Sequence, residues 1–160
     1  MASFREFRDD FCALFESYLE RDDIWGDSRT YIMYHGTTQR AVLNIQMYGF
    51  QRSSDGMLGR GVYVSRSFQK ALAYPKNLPF YEQKAVLKLR VRVGKVKKID
   101  KQGHPLQKTW HQHGYDSAWV PPNCGMVPSG LEEDCVWDPS RIEILDIIYP
   151  PRYTGWCFDP

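Results

Sequence analysis

Ala85-Val86-Leu87-Lys88-Leu89-Arg90-Val91-Arg92-Val93 alternates apolar and basic residues with a period of two. Leu87, Leu89, Val91 and Val93 point one way and Lys88, Arg90 and Arg92 the other, the pattern of a strand with one buried face. The basic row continues through Lys95, Lys97 and Lys98, and its simplest reading is a solvated sheet face.

Upstream of this strand, Tyr31 to Tyr34 reads as a short aromatic and aliphatic strand running into His35-Gly36-Thr37-Thr38. Thr37 or Thr38 caps a helix carrying Ala41, Val42, Ile45 and Tyr48, and Gly49 stops it. A polar loop follows from Phe50 to Arg60, then a short strand from Gly61 to Ser65. Ser65 is expected to cap a helix through Ala71, Leu72 and Tyr74, closed by Pro75. Nearer the start, Phe4, Phe7, Phe11, Leu14, Phe15 and Tyr18 share one helical face over residues 3–19, and Ser3 with Glu6 forms a capping box. Asp22 to Ser28 reads as a loop.

Downstream, residues 101–130 are rich in Gly, Pro, His and Trp, with one short strand expected at Ser117 to Val120. A long irregular segment inside a compact domain is usually functional, so a site wall is expected there. Cys135 to Trp137 and Ile142 to Ile148 close the sheet, and a Pro- and aromatic-rich tail occupies residues 149–160. Strands interleaved with only three short helices predict an α+β fold, a mostly antiparallel split sheet with a few short helices. One domain over residues 1–160, with its core in residues 31–148, is the expected organisation.

A chain of 160 residues buries about two-thirds of its unfolded surface and needs no staples. Twenty-one Lys and Arg against 19 Asp and Glu leave a net charge of +2, too balanced for nucleic-acid binding by bulk attraction. The first ten residues are charged and lack an apolar h-region, so a secretory signal is not expected, and Ala2 argues against myristoylation. No apolar run approaches the length of a membrane span. Cys12, Cys124, Cys135 and Cys157 form no C-x-x-C pair and read as free thiols of a reducing compartment, cytoplasmic or nuclear by diffusion.

Four stretches carry the chemistry: Tyr34-His35-Gly36-Thr37, Gly59-Arg60-Gly61-Val62-Tyr63-Val64-Ser65, Lys70-Ala71-Leu72-Ala73-Tyr74, and Glu133-Asp134-Cys135-Val136-Trp137-Asp138-Pro139-Ser140-Arg141-Ile142. Gly59-Arg60-Gly61 by itself is a lone G-x-G outside a strand–turn–helix setting, which argues against a Rossmann site. In this order, with Gly114-Tyr115-Asp116-Ser117 between the last two, the motifs resemble the NAD-binding core of the poly(ADP-ribose) polymerase (PARP) superfamily, of the H-Y-E type. Its compactness is similar to that of the small interferon-inducible PARP-like proteins of fish. The resemblance implies NAD as substrate, no metal, a protein or nucleic-acid acceptor, and a place in innate antiviral defence.

Residue by residue, the resemblance makes His35 a hydrogen-bond partner of the adenosine ribose. Gly36 would hold the nicotinamide carboxamide through its backbone, beside Thr37. Tyr63 and Tyr74 would sandwich the nicotinamide ring, and Glu133 would be the catalytic carboxylate. Where many relatives carry a serine on the amide, this chain has Ala71. One lost polar contact is worth about 1 kcal/mol. Glu132, Glu133 and Asp134 are consecutive, so a slip of one residue would turn the carboxylate to the wrong face.

Competing readings exist for each piece. Glu133 reads equally as a surface acid at a strand start, and Tyr63 and Tyr74 as core aromatics. His111 and His113 with His104 and Cys124 suggest zinc, but their spacing fits no standard site. A PARP-like scaffold without turnover is the alternative to an enzyme. An RNA 2′-phosphotransferase is disfavoured because Tyr34 precedes His35 where that family resembles an Arg-His-His-Arg set.

Overall fold

The computed structural model describes residues 29–151 of the chain. The helix expected over residues 3–19, the loop after it and most of the tail lie outside the described residues. In chain order the elements are β1 (Thr30–Thr38), α1 (Gln39–Tyr48), β2 (Val62–Val64), α2 (Phe68–Leu72), β3 (Lys84–Arg92), β4 (Val96–Lys98), β5 (Ser117–Val120), β6 (Glu133–Val136) and β7 (Ile142–Ile148). Short 3-10 turns cover Trp110–His113 and Pro139–Arg141.

The strands make two sheets of an α+β fold. β3 is the middle strand of the first, between β1 and β7, and both its pairings are antiparallel. The second runs β2-β6-β5-β4, antiparallel except for the β4–β5 pair. The alternation read along β3 holds: Leu87, Leu89 and Val91 are buried, while Arg90 and Arg92 are exposed. Their apolar side chains meet Met33 of β1, Val62 and Val64 of β2, and Trp119 and Val136 in the core between the sheets. Each such side chain stabilises the fold by about 1.5–3 kcal/mol through area removed from water.

On the outer face, Arg90 pairs with Glu143 at 2.9 Å and Arg92 donates to the Ser140 carbonyl at 3.2 Å. The Lys95 and Lys97 ammonium groups both lie over the Tyr115 ring. Arg90, Arg92, Lys95 and Lys97 of the basic row are thus engaged by neighbouring groups, with Lys97 on β4 of the second sheet.

Three expectations need correction. β1 extends to Thr38, so His35 to Thr38 belong to the strand itself, held by pairing with Lys84 to Leu87. α2 is capped by Ser67, whose Oγ accepts from the Lys70 amide at 3.2 Å. Ser65 lies two residues too early to be the cap: its backbone pairs with Tyr34, and its hydroxyl donates to the Glu132 carbonyl and accepts from the Ser67 amide just ahead of the helix. Finally, the buried part of residues 101–120, Trp110 and Ser117 to Val120, packs into the core and lines no cleft. Trp110 is buried with its indole N–H donating to Leu58 O at 2.7 Å, and it packs with Ile99, Ala118 and Val120. Of the segment expected to form a site wall, Met126, Val127 and Pro128 reach a cleft.

Glu132, just before β6, joins the two halves of this second sheet. Its Oε1 accepts from the Arg66 amide and Nε at 3.0 and 2.8 Å, and its Oε2 from Arg66 Nη2 and the Trp119 indole. Removing one partner of a buried pair leaves the other charge unsatisfied. Glu132→Ala is therefore expected to cost about 3–5 kcal/mol of stability, read from the shift of a urea unfolding midpoint.

Candidate functional site

A cleft of about 460 Å³ opens where the end of β1, β2, α2 and the start of β6 meet. His35, Gly36, Tyr63, Ala71, Tyr74 and Glu133 all line it. Four stretches far apart in sequence therefore converge on one wall. Thr37 does not line it and is buried within β1.

The seam between the sheets holds the site together. Tyr34 and Ser65 exchange two backbone hydrogen bonds, of 2.7 and 3.0 Å. One residue on, His35 Nδ1 lies 2.7 Å from the Tyr63 carbonyl. A carbonyl only accepts, so Nδ1 carries the proton and Nε2 keeps a lone pair. Burial holds the imidazole below its ordinary value, so the ring is neutral at pH 7. Phe50 packs edge-on against it, with ring centroids 5.4 Å apart.

Gly36 sits against the α2 turn so closely that a Cβ there would lie 1.9 Å from the Ala71 carbonyl oxygen. Only glycine permits that approach. Tyr63 is fixed by its hydroxyl, which donates to Gly59 O at 2.6 Å and accepts from the Leu58 amide at 2.9 Å. A Cβ on Gly56 would strike the same hydroxyl, so the loop before β2 closes directly over it. Tyr74 lies just past α2, its amide bonded to Ala71 O at 3.1 Å, and the residue is 40% exposed. The ring therefore presents a flat apolar face to the cleft.

Glu133 takes the cleft side of β6 with Cys135, opposite in parity to Glu132 and Asp134. Burial raises its carboxyl above the ordinary range, and the neighbouring Lys70 ammonium pulls it back down. Lys70 Nζ lies 3.7 Å from Glu133 Oε2 although it is borne by a lysine only 5% exposed. Sequence reading passed over Lys70, since a lysine on a short helix looks like a solvated group. Its spacing of four residues from Tyr74, around a helical turn, was the available signal. Asp55, Gly56 and Met57 complete the wall from the loop before β2, with no signal in their residue types.

A second cavity, also about 460 Å³, shares His35 and Tyr63 with the first. It runs along α1 past Ala41, Asn44 and Ile45 to Phe50 and Ser53. His35 and Tyr63 thus line both chambers.

The candidate zinc ligands go separate ways. His104 Nδ1 accepts from the Leu106 amide, and His111 stacks on Trp137 at 3.7 Å, with Arg52 on the same indole at 4.5 Å. Among the described residues no three His, Cys, Asp or Glu side chains converge as a metal site. Nor is any helix among them long and apolar enough to cross a membrane. No known family model matches the chain, and no curated protein does.

Because the folded state resists protonating His35 and the unfolded chain does not, stability from this ring is full above about pH 6.5 and is lost as pH falls toward the lowered value. His35→Gln removes that share. The difference in unfolding free energy between parent and variant should therefore shrink below pH 6.5, by up to about 1.4 kcal/mol per pH unit. Paired urea melts from pH 5 to 8 check this, and a difference independent of pH would contradict a neutral buried ring.

Proposed function

We propose that the protein is a PARP-like ADP-ribosyltransferase that takes NAD as substrate and passes single ADP-ribose units to a protein or nucleic-acid acceptor. The observation that carries this reading is the convergence of His35, Gly36, Tyr63, Tyr74 and Glu133 on one cleft. The second chamber, sharing His35 and Tyr63, supports it further by offering the adenosine end a place.

In this reading the nicotinamide ring rests on Tyr74 and against Tyr63, with its carboxamide on the Gly36 backbone. The neutral His35, protonated on Nδ1, accepts a ribose hydroxyl through Nε2. The bond between the nicotinamide nitrogen and ribose C1′ then breaks, and its electron pair leaves with the ring. Positive charge spreads over C1′ and the ring oxygen, where the Glu133 carboxylate stabilises it. The acceptor's nucleophile forms the new bond to C1′ and gives up its proton to solvent.

Such stabilisation acts mainly as charge develops, so it bears on turnover more than on substrate binding. Glu133→Gln is expected to abolish transfer while leaving NAD affinity nearly intact. Labelled NAD and gel analysis provide the test: single additions or slow release of nicotinamide support the reading, and a long ladder removes the single-unit claim.

One observation favours a second reading, a scaffold that binds without turnover. Ala71 is buried at the cleft without a polar group to offer the amide. Absence of both label and free nicotinamide at high protein concentration would select it. Either reading keeps the stacking role, so Tyr74→Ala should weaken a nicotinamide mimic by about 1–2 kcal/mol in calorimetry. Equal affinities would count against it.

A further inference from the structure

We propose that residues 3–19 dock as a helix on the outer face of the first sheet, with their aromatic stripe across Ile32 and Leu145 and the acids that follow it set against the basic row. The inference stands apart from the transferase reading.

The outer face is the side of the sheet turned away from the core, and the strand register fixes its rows. Ile32, Arg90 and Glu143 make one row, and Tyr34, Lys88 and Asp146 the next. One end of this face already has a cover. There α2 runs across it, with Phe68 edge-on against Tyr34 at 5.3 Å and the Leu72 carbonyl accepting from Lys84 Nζ at 2.6 Å. Val86, of the same parity as Lys84, is buried at that end. α2 is only five residues long, and the cover stops with it. Beyond it Ile32 is 42% exposed and Leu145 36%. Side chains of this kind on a sheet are stabilised by a second layer packed over them.

Length, attachment and charge together identify that layer. Phe4, Phe7, Phe11, Leu14, Phe15 and Tyr18 share one helical face. A helix over residues 3–19 is about 25 Å long, close to the roughly 30 Å of a strand the length of β3. The chain enters β1 at Arg29, whose carbonyl accepts from the Val93 amide next to Arg92. The segment is therefore tethered at the uncovered end of the face, and residues 20–28 let it reach at most about 30 Å from there.

Charge points the same way. Residues 1–28 hold eight Asp and Glu against three Arg, a net charge of −5, so the remaining residues carry +7 of the chain's total of +2. The outer face bears Lys84, Lys88, Arg90 and Arg92 against Glu143 and Asp146. Asp22, Asp23 and Asp27 stand nearest the tether, beside the Arg90 and Arg92 end. Residues 152–160 hold one Arg and one Asp and bring no such complement. α1 also exposes Leu43 and Met47, but the basic residue it carries, Arg40, already pairs with Glu82 at 3.3 Å.

Amide hydrogen exchange read by mass spectrometry on the full chain is the test. Residues 3–19 should be protected in the parent. In the Ile32→Glu, Leu145→Glu double variant that protection should fall about tenfold or more while β3 keeps its own. The Leu43→Glu, Met47→Glu double variant should leave it unchanged. Unprotected residues 3–19 in the parent, or protection that survives the outer-face substitutions, overturns the proposal. Loss in the α1 variant instead assigns the segment to α1 and overturns it as well. So does protection that falls on dilution, which makes a second copy the partner, or a response in residues 152–160 rather than 3–19. Should the outer-face variant fail to fold, seen as lost protection in β3, a Phe11→Asp, Phe15→Asp chain decides. Undocking should then speed acetylation of the Lys88 amine severalfold, and an unchanged rate overturns the proposal.

Discussion

Glu132 receives four hydrogen bonds from Arg66 and Trp119, and its placement fixes where everything at the start of β6 must point. A strand alternates its side chains, so a carboxylate locked toward the interior turns the next one outward. Glu133 is thereby delivered to the cleft, and Asp134 returns to the interior. The clamp also ties the first residues after β2 to β6 and β5, so Tyr63 and Glu133 keep a fixed relation across paired strands. A slip of one residue would have to break all four bonds and bury the wrong acid.

Much of this was legible in the chain. The alternation from Ala85 to Val93 gave the central strand within one residue at each end, and Ser117–Val120 matched as written. Thr38 and Gly49 marked α1 because capping and stop chemistry are local. Less local features stayed hidden. β4 is three residues long and earns its place by pairing in parallel with β5, which no period within the segment can signal. Ser65 has the hydroxyl chemistry of a cap and does accept an amide, that of Ser67, but the strand pairing that holds its backbone leaves the cap itself to Ser67.

The site shows the same division. His35, Gly36, Tyr63, Ala71, Tyr74 and Glu133 were each named from motifs, and they share one cleft. Thr37 was grouped with them by adjacency and is buried in the strand away from the cleft. Lys70 escaped notice because burial of a charge is decided by the partner across the fold. The electrostatic character of the cleft follows from these tertiary neighbours: a neutral imidazole, a phenol and a thiol kept neutral, and a carboxylate whose charge is contested between burial and an ammonium group.

The two sheets are joined at the cleft by the Tyr34–Ser65 bridge and by the contact of His35 with the Tyr63 carbonyl. The residues that line both chambers thus also help fasten the halves of the fold. A molecule seated across them would rivet one sheet to the other, and the halves could not part without first expelling it. Occupancy and mechanical integrity become one property, so the bound protein would resist pulling along the seam in proportion to how well its two chambers are filled.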